Sequence, residues 1–327
     1  MKNKRILSIK RIRVYGLALI AVVAVYSCVP SKTLLEENSE VPDRYQNQLK
    51  DSLNSAGIHW KEFFSDPQLS TLIDMALVRN QELNIILQQV EMANNEIRTR
   101  KGEYLPSVSI QAGTEVEKVG AYTRNGAVEE HLEIREGEEF PEPLPNFMVG
   151  AYASWEVDVW KKLRNAKKAA VFEYLSSIEG KNFMVTNLVS EVAASYYELV
   201  ALDSQLAIIE ENLAIQTNAL AMVKLQKTAA RATELAVRRF EAEVLKNQSQ
   251  KYGIQQQIVE TENKINFLIG RSPQPILRNS EGFITKEIAA VNPGIPSQLL
   301  QNRPDIRRAE YELAAAKLDV KVAKANF

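Results

Sequence analysis

The sequence predicts a mainly α-helical chain interrupted by two transmembrane-type β-strands, and three observations carry that prediction. No proline falls between Glu156 and Ser272, and inside that span apolar residues recur at alternating steps of three and four, as a coiled-coil seam requires. Two shorter runs, 107–118 and 146–159, alternate apolar and polar residues with period two, as strands with unlike faces do. Residues 302–327 echo residues 79–104 at a displacement of 223 positions, with Ile306 on Leu83, Leu313 on Val90, Ala316 on Ala93 and Val320 on Ile97. A repeat of that spacing predicts one complete structural unit followed by the opening of a second.

Composition narrows the function. The 327 residues are 45% hydrophobic and 25% charged with a formal net charge of −1, so no general attraction to nucleic acid is expected. One cysteine and two histidines, His59 and His131, leave no metal-ligand cluster and no disulfide framework. The chain shows no phosphate-cradling glycine loop, no nucleophile elbow and no histidine paired with aspartate or cysteine. No catalytic, cofactor-binding or metal-binding residue is therefore assigned, and an enzyme is not expected.

The amino terminus reads as an address. A basic head runs from Lys2 to Arg13, followed by the short apolar run VYGLALIAVVAVY, which falls below the about 20 residues of a membrane-spanning helix. The VYSC stretch that follows resembles the lipobox of bacterial lipoproteins. Residues 1–27 would then be a lipoprotein signal peptide, with Cys28 as the lipid attachment residue. The alternative is a plain secretion signal with an incidental cysteine. Two or three acyl chains, at about 0.8 kcal/mol per buried methylene, would anchor the chain firmly. Val29 stands where inner-membrane lipoproteins of enterobacteria carry aspartate, so the outer membrane is the expected destination.

Beyond this address a helix is expected over 66–104. In the strand 107–118, Val108, Ile110, Ala112, Thr114 and Val116 share one face, opposite Ser107, Ser109, Gln111, Glu115 and Glu117. In the strand 146–159, Phe147, Val149, Ala151, Ala153, Trp155, Val157 and Val159 lie opposite Gly150, Ser154, Glu156 and Asp158. Each run has about the 9–11 residues that cross a bilayer as a tilted strand, with the apolar-out, polar-in pattern of a membrane barrel. A soluble hairpin with one wet face is the competing reading. The acidic stretch between them, VGAYTRNGAVEEHLEIREGEEFPEPLP, suits a long external loop, with His131 solvated inside it. Asp158 reads as lumen-facing or capping.

The heptads follow. The first seam runs from Val171 to Val223, with Lys181, Ser195 and Gln216 as its polar interruptions. It predicts a helix over 161–226, roughly 100 Å long. The second seam runs from Val237 through Phe240, Val244, Asn247, Lys251, Ile254, Ile258, Thr261 and Ile265 to Leu268. It predicts a helix over 233–269 with Thr233 as N-cap and Glu234 in the first turn. Gly270 and Pro273 should end it.

Four stretches then resemble one family, the TolC-type outer-membrane efflux proteins in their lipoprotein, NodT-like branch. HWKEFFSDPQLSTLIDMALVRNQEL (59–83) is similar to the family's opening, SWEVDVWKKLRNAKKA (154–169) to its strand-to-helix junction, ATELAV (232–237) to its hairpin tip, and IPSQLLQNRPDIRRAEYELAAA (295–316) to the start of its second repeat. Ala230 departs from the pattern, standing where the tip commonly carries glycine. The resemblance implies long coiled-coil hairpins forming a periplasmic tunnel, plus a trimeric β-barrel with two strands per repeat and four per full-length chain.

On this reading residues 28–270 form the first repeat, 271–296 a connecting segment, and 297–327 the incomplete start of the second. The family's constricting acidic ring lies mostly in the second repeat, so no gate residue is assigned. The function implied is an outer-membrane exit duct in a tripartite efflux system. Its partners would be two further copies in a homotrimer, a periplasmic adaptor, an inner-membrane pump and outer-membrane lipid. Arg231, Thr233 and Glu234 at the tip are the candidate adaptor contacts. The alternative is a periplasmic coiled-coil adaptor or scaffold lipoprotein. Because a membrane barrel needs at least about eight strands, three chains of this length would not complete one. The sequence is therefore expected to continue in an intact protein.

Overall fold

The computed structural model describes residues 40–42, 55–280, 282–283 and 295–326. The signal segment, Cys28 and part of the connecting segment lie outside the described residues. The elements in chain order are α1 (Trp60–Phe63), α2 (Pro67–Arg79), α3 (Gln81–Gly102), β1 (Ser107–Glu117), α4 (Arg124–His131), β2 (Glu133–Arg135), β3 (Glu138–Glu139), β4 (Leu144–Ser154), α5 (Lys162–Thr228), α6 (Glu234–Leu268), α7 (Pro296–Asn302) and α8 (Pro304–Ala325). They fall into two compact units. Among the described residues, one joins those before Glu96 to those of 171–316, and the other joins Glu96–Ala170 to 317–326. The boundary between the units falls within α3, α5 and α8.

The first unit is built on the hairpin of α5 and α6. Ion pairs fix its antiparallel sense: Lys224 Nζ to Glu241 at 3.0 Å, Lys251 Nζ to Glu210 at 2.8 Å, and Lys264 Nζ to Glu191 at 3.4 Å. The polar seam residues Gln216 and Asn247, one from each helix, hydrogen-bond to one another. That pairing lets two interruptions of the seam satisfy each other and penalises any shift between the helices. Against the hairpin packs α2, whose Leu69, Leu72, Ile73 and Ala76 are buried at helical spacing. They join Leu188, Val192, Tyr196, Leu199, Ile265 and Leu268 in one core.

The helix expected over 66–104 is two helices, and Asn80 is the reason. Its backbone is extended with ψ 126°. Its Oδ1 accepts the Leu83 amide at 2.9 Å and caps α3, while its Nδ2 donates to the Leu268 carbonyl at the end of α6, also at 2.9 Å. A buried asparagine serving two helix ends outweighs the continuity of the apolar pattern. At the start of α2, Asp66 Oδ1 accepts the amides of Gln68 and Leu69 while its Oδ2 accepts the buried Tyr196 hydroxyl at 2.8 Å. After α6, Arg278 binds back onto the hairpin. Its Nε and Nη2 donate to Asp203 at 2.5 and 2.9 Å, and its Nη1 donates to Glu262 and to the Ile276 carbonyl.

The repeat is visible in the backbone. At both ends α8 lies 223 positions after α3, and α7 ends 223 positions after α2 ends. Arg307 Nη2 pairs with the largely buried Glu179 at 2.9 Å, and Phe172 faces Tyr311 with ring centroids 6.2 Å apart, placing α8 on the first part of α5.

Both hairpin helices end in the same hydrogen-bond pattern. Ala230 N and Arg231 N donate to Lys227 O and Gln226 O at the end of α5, and Gly270 N and Arg271 N donate to Phe267 O and Asn266 O at the end of α6. This six-to-one and five-to-two pairing is the Schellman motif, whose central residue must be left-handed. Ala230 adopts φ 55° and Gly270 φ 64°. The turn at the tip is therefore tight despite lacking glycine. Replacing Ala230 by glycine should stabilise the purified chain by about 0.5–1 kcal/mol by removing the left-handed penalty. At Gly270 an added Cβ would sit 2.5 Å from the Arg79 carbonyl oxygen, so Gly270→Ala should cost about 2 kcal/mol or more. Denaturant midpoints followed by helical circular dichroism check both signs, and a lower midpoint for Ala230→Gly would contradict the account of the tip.

Candidate functional site

In the second unit β1 and β4 pair antiparallel over eleven residues each, from Ser107 opposite Ser154 to Glu117 opposite Leu144. Directly paired residues share a face of a sheet. The register therefore sets Val108 with Ala153, Ile110 with Ala151, Ala112 with Val149, Thr114 with Phe147, and Val116 with Pro145. One face of the ribbon has no charged side chain along its whole length. The other carries Ser107, Ser109, Gln111, Glu115 and Glu117, opposite Ser154, Tyr152, Gly150, Asn146 and Leu144. The apolar face is open, with Ile110 81% and Val149 82% exposed.

The strand expected over 146–159 begins at Leu144 and stops at Ser154. Its alternation continues to Val159, but the partner strand ends at Ser107, and the residue before that is Pro106, which has no amide to donate. Trp155 instead donates its indole Nε1–H to the Tyr104 carbonyl at 3.2 Å. The connection at the far end carries structure of its own. Thr123 caps α4, its Oγ1 accepting the Gly126 amide at 3.1 Å, and β2 and β3 form a small hairpin. His131 is the last residue of α4.

Asp158 fixes the junction from ribbon to hairpin helix. Its Oδ1 accepts the Leu163 amide at 3.0 Å, and its Oδ2 accepts the Arg164 amide at 3.1 Å and Arg164 Nε at 3.0 Å. An anionic group on the first free amides of α5 satisfies donors that have no partner within the helix. It also holds the chain where Lys161 adopts the left-handed φ of 60°. Burial alone would raise the carboxyl's pKa, but the Arg164 side chain and the two amides outweigh it and hold it below the usual carboxylate range. A lowered folded pKa gives stability that is present above the ordinary carboxylate pKa of about 3.9 and lost as pH falls through the folded value.

At the hairpin tip Thr233 is the N-cap of α6, its Oγ1 accepting the Ala236 amide at 3.2 Å. Glu234 is bound by Lys227 and by Arg238 Nε at 2.9 Å, and Lys227 and Arg238 together hold its carboxyl below the usual range. Arg238 and Lys224 in turn hold Glu241. Of the three tip candidates only the exposed Arg231 has a side chain without a polar partner among the described residues. Thr233 is the N-cap that the sequence predicts, whereas the Lys227–Glu234 pair across the turn was not legible there.

The family model for outer membrane efflux proteins matches residues 72–271. The chain belongs to that family. Among its curated relatives are the solvent efflux pump outer membrane protein SrpC of Pseudomonas putida, 28% identical over 276 residues, and the cation efflux system protein CusC of Escherichia coli, 29% identical over 304 residues. These alignments cover 82% and 91% of this chain but 54% and 60% of the relatives, so the chain spans little more than half their length. The open-state MtrE outer membrane channel of Neisseria gonorrhoeae superposes with a TM-score of 0.73 at 21% identity, covering 92% of this chain and 64% of that one. A crystal structure of CusC gives 0.72 at 23% identity, covering 90% and 63%. The fold is that of these outer-membrane channels.

Asp158→Asn should destabilise the chain by about 1–2 kcal/mol at neutral pH. The difference from the parent should shrink to nothing as pH falls through the parent's own Asp158 titration. Denaturation measured across acidic pH tests this, and a gap that persists undiminished in acid would contradict it.

Proposed function

We propose that the intact protein is the outer-membrane component of a tripartite efflux system, a passive exit duct for small molecules driven by an inner-membrane pump. The observation that carries this is the register of β1 and β4. A family of outer-membrane channels supplies the context, and in it this chain presents an eleven-residue ribbon with one wholly uncharged face. Lipid rewards such a face, and closure into a barrel satisfies the strand edges that a lone ribbon leaves open. A periplasmic adaptor or scaffold would have no use for it. The duct performs no bond chemistry and takes no cofactor.

Three copies would close the barrel and surround the passage. The hairpin offers a surface for this: Ile208, Ile215 and Met222 on α5, and Leu245, Tyr252 and Val259 on α6, recur every seven residues and are all exposed. A second heptad stripe outside the first seam suits helices with neighbours on two sides. A periplasmic adaptor would meet the hairpin tip, where Arg231 offers a free charge while Thr233 and Glu234 shape the turn. Cys28 would carry the lipid.

Deleting the intact gene should lower the tolerance of cells to amphiphilic toxicants. Complementation by Arg231→Glu should restore tolerance only in part at normal membrane abundance, and Cys28→Ala should abolish palmitate labelling. Unchanged tolerance of the deletion strain across a broad panel would overturn the efflux reading.

A further inference from the structure

The chain changes character at the base of the ribbon. β1 and β4 begin and end together at Ser107 and Ser154, and the Trp155–Tyr104 hydrogen bond ties the chain entering the ribbon to the chain leaving it. The last turns of α3 and the first turns of α5 therefore emerge from the same end. Tyr104, Leu105, Trp155 and Trp160 are exposed there, Trp160 at 78%. Tryptophan and tyrosine with one polar atom satisfied and an open ring favour the level of lipid headgroups.

Cations are interleaved with these rings. Four carboxylates beside the ribbon base are paired with three cations: Glu96 and Glu103 share Arg100 at 2.8 and 3.1 Å, Glu156 meets Lys162 at 2.6 Å, and Asp158 meets Arg164 at 3.0 Å. Lys101, Lys161, Lys167 and Lys168 are left over, all exposed and none in an ion pair among the described residues. The opposite end of the ribbon has the reverse balance, since its connection includes Glu129, Glu130, Glu133, Glu136, Glu138 and Glu139. The two ends of one membrane-length ribbon thus differ in sign, and only the helical end combines free cations with open indole rings.

We propose that the base of the ribbon is a collar for anionic phospholipid headgroups. Lys101, Lys161, Lys167 and Lys168 hold lipid phosphates, and Trp155 and Trp160 lie at the level of the glycerol backbone. This inference rests on the membrane reading of the ribbon. Basic residues beside a membrane surface attract anionic lipid strongly enough for a few lysines to decide a preference. None of these four lysines is in an ion pair among the described residues, so their charges stay open to solvent. Such a collar would fix the depth of the ribbon in the leaflet and select the lipid around it.

The purified full-length protein, released from detergent onto phosphatidylcholine vesicles with and without phosphatidylglycerol, tests this by flotation. The parent should partition about tenfold or more in favour of the anionic vesicles at low salt, and the preference should collapse at about 1 M salt. The combined variant Lys101→Gln, Lys161→Gln, Lys167→Gln and Lys168→Gln should still float with neutral vesicles while losing the preference. Lys167→Glu with Lys168→Glu should reverse it. Far-ultraviolet circular dichroism confirms that each variant keeps its helices. Equal partitioning of the parent, or a preference retained by the four-lysine variant, overturns the collar alone. Failure of the parent to float with either vesicle overturns the membrane reading and the collar with it.

Discussion

The pairing of Ser107 with Ser154 sets the sidedness of the ribbon. Because side chains alternate across a strand, a slip of one residue would turn every apolar side chain of one strand to the polar face. In the observed register the two strands agree, and Ile110, Ala112, Val149 and Ala151 lie on one surface. Contiguous exposed apolar patches of this kind mark an interaction or membrane surface. Its natural solvent is hydrocarbon, and in hydrocarbon the free strand edges must be paired. One register therefore suits both a bilayer and further strands, which is why the proposed function rests on the ribbon more than on any pocket.

The hairpin answers a different constraint. Two long heptad helices could slide along each other by whole heptads at little cost if their seam were uniformly apolar. The Gln216–Asn247 pair and the Glu210–Lys251 bridge make such sliding costly. Asn80 and Arg278 then tie the neighbouring segments to the hairpin, one by capping two helix ends and the other by gathering Asp203 and Glu262. The outer stripes on α5 and α6 remain free for neighbours.

Much of this was legible in the sequence, because periodicity reports directly on which face is buried. The two strands, both long helices, Thr233 as a cap, Gly270 as a stop and the displacement between α3 and α8 all follow from local pattern. What escaped was what depends on distant partners. Asn80 breaks the helix after Arg79 only because the Leu268 carbonyl, 188 positions away, lies within reach. β4 ends at Ser154 because its partner ends, although its own alternation runs on to Val159. Glu234 looked free at the tip, yet Lys227 across the turn binds it. Asp158 read equally as lumen-facing or capping, and only the positions of Leu163 and Arg164 separate the two. The tight turn at Ala230 was hidden because alanine carries no sign of a left-handed backbone.

The central claim is that the ribbon lies with one face against lipid. Single cysteines placed at successive positions from Val108 to Ala112, and again from Val149 to Ala153, can carry a fluorescent label in reconstituted full-length protein whose other reactive thiols have been replaced. The account predicts that labels at 108, 110, 112, 149, 151 and 153 are quenched by a lipid-soluble quencher, while those at 109, 111, 150 and 152 are quenched by a water-soluble one. Uniform access of the water-soluble quencher to every position would contradict it.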